Sequence, residues 1–257
     1  MTLPELIDVP YDTRTLVLIS IIVLGTTALS SIAGFGFGTV AVPMLLVLLP
    51  PSVVVVIVKV IGSGTAWIVL LSIWRYTQWR TILKIFPAAL VGLLVGGYIL
   101  KEADPAAIQL FVGLLVLISA MTMVVRPVLI ERDSLWSTSL VGFLTGVMGN
   151  ATGLLAPAVV VYFTGRQFPR DVFRATTLAL FLVIEFFGLP TLALQGAVSW
   201  ADARFALLLV PLAIVGRLIG LRLVRYVSQQ LFRRMTTGLL FVMSVLTIGS
   251  ALQDLLA

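Results

Sequence analysis

Two short stretches hold the residue types best able to do chemistry. Gly34-Phe35-Gly36-Phe37-Gly38-Thr39-Val40-Ala41-Val42-Pro43 lies inside a long apolar run, and Gly149-Asn150-Ala151-Thr152-Gly153-Leu154-Leu155-Ala156-Pro157 opens the second half of the chain. Glycine is costly inside a helix but tolerates a sharp turn and close backbone approach. Paired glycine-rich breaks at matching places in two apolar halves point to a transporter binding site. If Gly38 and Gly153 begin the return arms of two hairpins, each arm carries its N-terminus into the membrane interior. A helix N-terminus presents unpaired N–H groups and partial positive charge, and so binds anions without a positive side chain. Two such ends facing each other would cradle a small oxyanion. Ser30, Ser31, Thr39, Asn150 and Thr152 would add short polar donors at that level. The tip residues read as substrate-binding are Gly34, Gly36, Gly38, Thr39, Gly149, Asn150, Thr152 and Gly153. The competing role for the glycines is relief of crowding between helices.

Three ionisable residues remain inside apolar segments: Lys59, Arg174 and Glu185. Each costs at least ~2.5 kcal/mol at a helix centre, and such residues are functional candidates by default. Lys59 lies eight residues after Pro51 and Arg174 five after Pro169, roughly equivalent places in the two halves. Both could hold an anion or guard its approach, although Arg174 could equally snorkel to the cytoplasmic surface. Glu185 is a candidate proton carrier, of the kind found in intramembrane relays, or a structural partner of Lys59 or Arg174. Trp67, Trp74, Trp79, Trp136 and Trp200 fall near segment ends, where interfacial anchoring is their default role. Phe35 and Phe37, at the first tip, suit a gate, a surface for an organic portion of a substrate, or ordinary core packing.

The elements that must position these residues follow from composition. The 257 residues are 60% hydrophobic and 11% charged, with mean hydropathy +1.15, whereas soluble domains carry about 25% charge. Barrel strands would show ~10-residue alternating stretches; the runs here are continuous, so the fold class is an all-α polytopic membrane protein. Apolar segments run over 15–33, 38–49, 52–74, 81–100, 106–125, 135–148, 153–163, 172–194, 203–224 and 231–252. A full span needs about 20 residues. Segments 38–49, 135–148 and 153–163 are shorter than that and suit half-helices or re-entrant arms.

Loop charge sets the topology. Arg75, Arg80 and Lys84 fall in one loop, Arg126 and Arg132 in a second, Arg166 and Arg170 in a third, and Arg217, Arg222, Arg225, Arg233 and Arg234 in a fourth. Basic loops mark the cytoplasmic side. All four can lie there only if each glycine-tipped pair leaves and returns on one side, with both termini outside. The result is an inverted repeat. Residues 1–130 form the first half (hairpin 15–49, then 52–74, 81–100 and 106–125), and 131–257 the second (hairpin 135–163, then 172–194, 203–224 and 231–252). Paired landmarks support duplication: Pro43 with Pro157, Pro51 with Pro169, Trp79 with Trp200, and Pro87, Gly92 and Gly96 with Pro211, Gly216 and Gly220 at identical spacing. Gly92…Gly96 and Gly216…Gly220 are also the small-xxx-small pattern of close helix packing.

Enzyme chemistry is not expected. Cysteine and histidine are absent, which removes thiolate nucleophiles, disulfides, the commonest metal ligand and every familiar triad or zinc site. No Walker-type phosphate loop occurs. No cofactor or metal is expected, and the net charge of +6 reads as topology rather than nucleic-acid binding. Glu5, Asp8 and Asp12 at the N-terminus read against a cleaved signal peptide.

At its glycine-rich stretches the chain resembles the TauE/SafE family of sulfite exporters and sulfonate permeases, whose halves each begin with a G-x-G-G-G-type stretch followed by a proline. Gly34-Phe35-Gly36-Phe37-Gly38 with Pro43 matches closely, Phe37 standing for one glycine; Gly149-Asn150-Ala151-Thr152-Gly153 with Pro157 is looser and one residue shorter before the proline. The resemblance covers nearly the whole chain. It implies export or uptake of a small sulfur oxyanion, such as sulfite, thiosulfate or an organosulfonate like sulfoacetate, without fixing which one; the leading reading is a secondary transporter in the bacterial inner membrane working as an exporter. Its partners would be that anion and membrane lipid, and the layout is compatible with a homo-oligomer. A passive anion channel or a non-transporting scaffold are the competing readings.

Overall fold

In a computed structural model, residues 11–33, 37–122, 134–223, 226, 238 and 241–252 are described. Gly34, Phe35 and Gly36 of the first glycine stretch lie outside them, as do Arg126, Arg132, Arg225, Arg233 and Arg234 of the basic loops. The described residues are helical, with no strand among them. The helices are α1 (Thr13–Ala33), α2 (Phe37–Leu45), α3 (Pro51–Ile73), α4 (Trp79–Glu102), α5 (Pro105–Thr122), α6 (Leu135–Ala151), α7 (Ala156–Gly165), α8 (Arg170–Leu194), α9 (Trp200–Leu223) and α10 (Phe241–Leu252). A 3-10 turn, Trp74–Tyr76, follows α3.

Local chemistry explains where these helices start. Pro51 and Pro105 stand at the first residues of α3 and α5, where proline's fixed φ suits the helix and its missing N–H is no loss. Asp12 Oδ1 accepts from the Thr15 N–H at 3.2 Å and Asp104 Oδ1 from the Ala106 N–H at 2.7 Å. Ser134 Oγ accepts from the Ser137 N–H at 3.1 Å. Ser199 and Asp202 exchange reciprocal bonds at 3.2 and 3.1 Å, a capping box at the start of α9.

Five stretches are long and apolar enough to cross a membrane: Thr13–Ser31, Pro51–Tyr76, Trp79–Glu102, Asp171–Leu194 and Trp200–Leu223. With the short apolar helices α2, α7 and α10 beside them, this is a multi-pass membrane protein. α3 is its centre, with most of Val53–Gly62 buried. Five tryptophans, Trp67, Trp74, Trp79, Trp136 and Trp200, are exposed, as anchors at the lipid boundary would be.

Glycines set how closely the long helices approach. A methyl group added at Gly92 or Gly96 of α4 would collide with the carbonyl oxygens of Phe143 and Val147 on α6. One at Gly142 or Gly146 of α6 would collide with those of Ile85 and Ala89 on α4. The second glycine pair behaves likewise: Gly216 and Gly220 of α9 press on the carbonyls of Leu24 and Ala28 of α1. The two interfaces are reciprocal. α4, from residues 1–130, docks on α6, while α9, from 131–257, docks on α1.

Two expectations are corrected. The second return arm does not begin at Gly153: α6 continues to Ala151 and α7 starts at Ala156, leaving Gly153 in the turn between them. Arg217 is not a loop residue. It lies inside α9 and is buried, because the face of α9 that carries Gly216 and Gly220 is packed and Arg217 adjoins it.

Candidate functional site

The second tip is built from α6 downward. Thr152 follows the last turn of α6, its hydroxyl donating to the Met148 carbonyl at 2.7 Å and accepting from the Leu154 N–H at 3.2 Å. Gly153 then takes φ +78°, a left-handed conformation that glycine adopts freely and side-chain-bearing residues rarely do. The chain reverses there and enters α7. At the first tip, Gly34 and Gly36 lie outside the described residues, but Gly38 sits in the first turn of α2.

These two tips touch. A methyl group at Gly38 would stand 2.5 Å from the Gly153 carbonyl oxygen and 3.2 Å from Val58 Cγ1. One at Gly153 would stand 3.1 Å from Val42 Cγ2 and 3.8 Å from Val55 Cα. Both hairpins therefore rest on the Val55–Val58 turn of α3. Thr39 Oγ1 is buried here with no hydrogen-bond partner among the described residues. Ser30 and Ser31 face elsewhere: both hydroxyls donate back to the Thr27 carbonyl at 3.0 Å. Phe37 is part of the core.

Asn150, three residues before Gly153, has its amide orientation set by its surroundings. Nδ2 donates to the Leu93 carbonyl at 2.8 Å and to Thr191 Oγ1 at 2.9 Å, and the Thr191 hydroxyl in turn donates to the Gly188 carbonyl at 2.7 Å. Both amide protons are thereby used, and the group Asn150 leaves free is its oxygen. That oxygen is buried without a partner among the described residues. A methyl group at Gly188 would stand 2.8 Å from it and against Lys59 Nζ. Asn150 Oδ1 and the Lys59 ammonium thus converge on one point beside α8. Gly149, next in the chain, presses against Leu155 and is 3.7 Å from Ile184 Cγ2 by the same measure.

Charge gathers on the same helices. Lys59, Glu185 and Arg217 are all buried. The Glu185 carboxylate lies against Gly62 of α3 and attracts both Lys59 and Arg217. Arg217 Nε donates to Thr65 Oγ1 at 2.8 Å. Lys59, Gly62 and Thr65 are spaced by three on α3 and so lie along one face. Sequence reasoning missed Arg217 because it was grouped with the basic residues that follow it. The available signal was its place in an apolar run, directly after Gly216.

Arg174 is separate from this cluster. It is half-buried in the N-terminal turns of α8, near Thr176, whose hydroxyl accepts from the Gln78 N–H at 3.0 Å. Gly188, where Lys59 ends, is fourteen residues further along α8, about 20 Å of helix.

The buried Lys59 thus lies one helical turn from the place on α3 where the two glycine tips meet. The chain is 24% identical over 221 residues to the probable sulfite/organosulfonate exporter TauE of Cupriavidus necator, a match covering 83% of this chain and 86% of that protein. No solved structure matches it significantly. The family profile described as sulfite exporter TauE/SafE matches residues 18–247, nearly the full length, and the chain belongs to that family of membrane exporters.

Proposed function

We propose that this protein is a secondary transporter that exports a small sulfur-containing anion, sulfite or an organosulfonate, across the bacterial inner membrane by alternating access. The observation that carries this reading is the meeting of the two glycine tips on α3, one helical turn from the buried Lys59. In this reading the N–H groups around Gly38, Thr39 and Gly153 take the anionic head, supported by the tip residues Gly34, Gly36, Gly149 and Thr152. Lys59 balances its charge. Asn150 holds the ammonium or a protonated edge of the ligand. Arg174, at the end of α8, guards the approach, and Glu185 is the proton-coupling residue. Partially positive helix ends and a buried cation together hold an anion that bare hydrocarbon would reject.

The reciprocal docking of α4 on α6 and α9 on α1, through glycines at matching positions, supports an inverted repeat of residues 1–130 and 131–257; the distribution of basic residues among the loops supports both termini outside. Rocking of one half against the other would then expose the tips alternately. Export of an anion from a negative-inside cell is favoured by ~2.3 kcal/mol per charge per 100 mV, so net export needs no proton gradient, whereas uptake would.

The test is binding followed by flux. Calorimetric titration of purified protein with sulfite and sulfoacetate should show saturable binding that Lys59→Ala and Asn150→Ala abolish while the protein stays folded. Counterflow in liposomes should then be observed. Binding without counterflow points to a passive channel, and no binding to a non-transporting scaffold.

A further inference from the structure

Arg217 has no role in the transport reading, yet it is buried together with Lys59 and Glu185. The three stand on different helices, α9, α3 and α8, and α3 sets their order. Val55, Lys59, Gly62 and Thr65 follow one another at steps of three or four residues and so share a face. The glycine tips rest on Val55–Val58, the Glu185 carboxylate lies against Gly62, and Arg217 is tied to Thr65. Glu185 therefore sits between two cations, whose places on α3 are each three residues away, about 4.5 Å of helix rise. It attracts both.

The tie to Thr65 leaves most of Arg217 available. The Thr65 hydroxyl donates to the Ile61 carbonyl at 2.6 Å, so toward Arg217 it accepts, taking the Nε–H at 2.8 Å. That bond fixes the guanidinium and uses one of its five donors. The terminal NH2 groups form a planar fork that matches a carboxylate. The elements packed on α8 bring no other charge to this depth. α6 and α7 carry none. The charges of α4 (Arg80, Lys84, Lys101 and Glu102) and the remaining ones of α9 (Asp202, Arg204 and Arg222) stand in their first two or last turns. Arg75 of the 3-10 turn is exposed, and Asp171 and Arg174 are about three turns or more from Glu185 along α8.

An anion at the tips meets Lys59 from the Val55–Val58 side, and Glu185 meets it from the Gly62 side. Both cannot hold one ammonium fully, and a carboxylate left unpaired in the interior is costly. It escapes that cost by taking a proton from solvent or by turning to a second cation.

We propose that Arg217 is a positioning residue for Glu185: when an anion engages Lys59, the Glu185 carboxylate turns from the ammonium to the guanidinium fork, and Arg217 does not touch the cargo. Arg217 thereby limits how steeply binding depends on protonation of Glu185, without abolishing that dependence. The proposal rests on the transport reading and adds a working part to it.

Methanesulfonate, whose charge does not change over the pH range used, is the probe. Its affinity for the full chain in lipid nanodiscs would be measured by calorimetry from acid to alkaline pH at fixed ionic strength. Wild-type protein should bind it about tenfold more weakly at the alkaline end, where ionised Glu185 competes for Lys59. Arg217→Gln should widen that ratio to about a hundredfold, because the displaced carboxylate then has no cation to turn to. With Glu185→Gln in place, the same substitution should change the ratio less than about threefold. A merely structural role, or direct contact of Arg217 with the cargo, would lower affinity alike at both ends. A ratio that does not widen in folded Arg217→Gln therefore overturns the inference, as does one that widens equally without the Glu185 carboxylate, or wild-type affinity that ignores pH. Should Arg217→Gln fail to fold, Arg217→Lys keeps the charge but loses the fork and should widen the ratio severalfold; an unchanged ratio there overturns the inference equally. Wild-type protein that binds neither methanesulfonate nor sulfite at any pH overturns the transport reading itself.

Discussion

Lys59 and Glu185 each fill the space left by a glycine on the other's helix. The Lys59 ammonium ends against Gly188 of α8, and the Glu185 carboxylate against Gly62 of α3. Both residues stand three positions before a glycine, in Lys59-Val60-Ile61-Gly62 and Glu185-Phe186-Phe187-Gly188. With α3 and α8 running in opposite directions, the two motifs interlock, and two opposite charges are held in the interior of the protein, each against the other's helix.

This interlock separates function from folding at Gly62 and Gly188. What an added methyl group meets first is the far end of a flexible side chain, the Glu185 carboxylate at Gly62 and the Lys59 ammonium at Gly188, where the Asn150 oxygen at 2.8 Å must also give a little. Gly62→Ala and Gly188→Ala should destabilise by only about 1–2 kcal/mol, yet displace the carboxylate and the ammonium. Both variants are expected to melt close to wild type in detergent while anion uptake into vesicles falls more than tenfold. A variant with full flux would show that the charges need not occupy these notches.

The glycines of α4, α6 and α9 that press on a neighbouring backbone should behave in the opposite way. Gly96 meets the Val147 backbone and Gly220 the Ala28 carbonyl, neither of which can swing aside. Gly96→Ala and Gly220→Ala should each lose about 3 kcal/mol, the upper end for overpacking, seen as a lowered melting temperature and reduced yield. Melting unchanged from wild type would mean that the helices can part without penalty.

Breaking the central charge group should leave a charge stranded. Lys59→Met or Glu185→Gln alone is expected to cost about 3–5 kcal/mol. The double variant should cost less than the sum of the two, with a coupling of about 1–3 kcal/mol in a double-mutant cycle read by thermal unfolding. Strict additivity would show that the two residues do not interact. Transport should be lost in all three.

Thr65 is tied to this group through Arg217. Thr65→Val removes the oxygen that accepts from Arg217 Nε at 2.8 Å and leaves a buried donor unmet, at about 2 kcal/mol. Thr65→Ser should restore the bond and the melting temperature. Equal melting of the serine and valine variants would assign the effect to shape rather than hydrogen bonding.

Much of this architecture was legible in the chain because the relevant signals are local. Continuous apolar runs with few charges imply helices in lipid wherever they occur. Gly92…Gly96 and Gly216…Gly220 announced close packing, and both pairs press on a neighbouring backbone. Lys59 and Glu185 stood out as charges in apolar surroundings, and both are buried. Other features depended on partners distant in sequence. Gly142 and Gly146 gain meaning only opposite Ile85 and Ala89. Asn150, read as a donor, has its protons taken by Leu93 and Thr191 and offers an acceptor instead.

Residue order by itself determined that the protein is a bundle of membrane helices and that a glycine turn separates α6 from α7, since hydropathy and backbone freedom are properties of a segment. Only the tertiary structure decided that Arg217 joins Lys59 and Glu185 while Arg174 stays apart, and that Gly38 lies against Gly153. The rotation of each helix about its axis and its depth against its neighbours are set by packing across the whole bundle. A guanidinium near a segment end is solvated or buried according to that rotation, which no short stretch of sequence encodes.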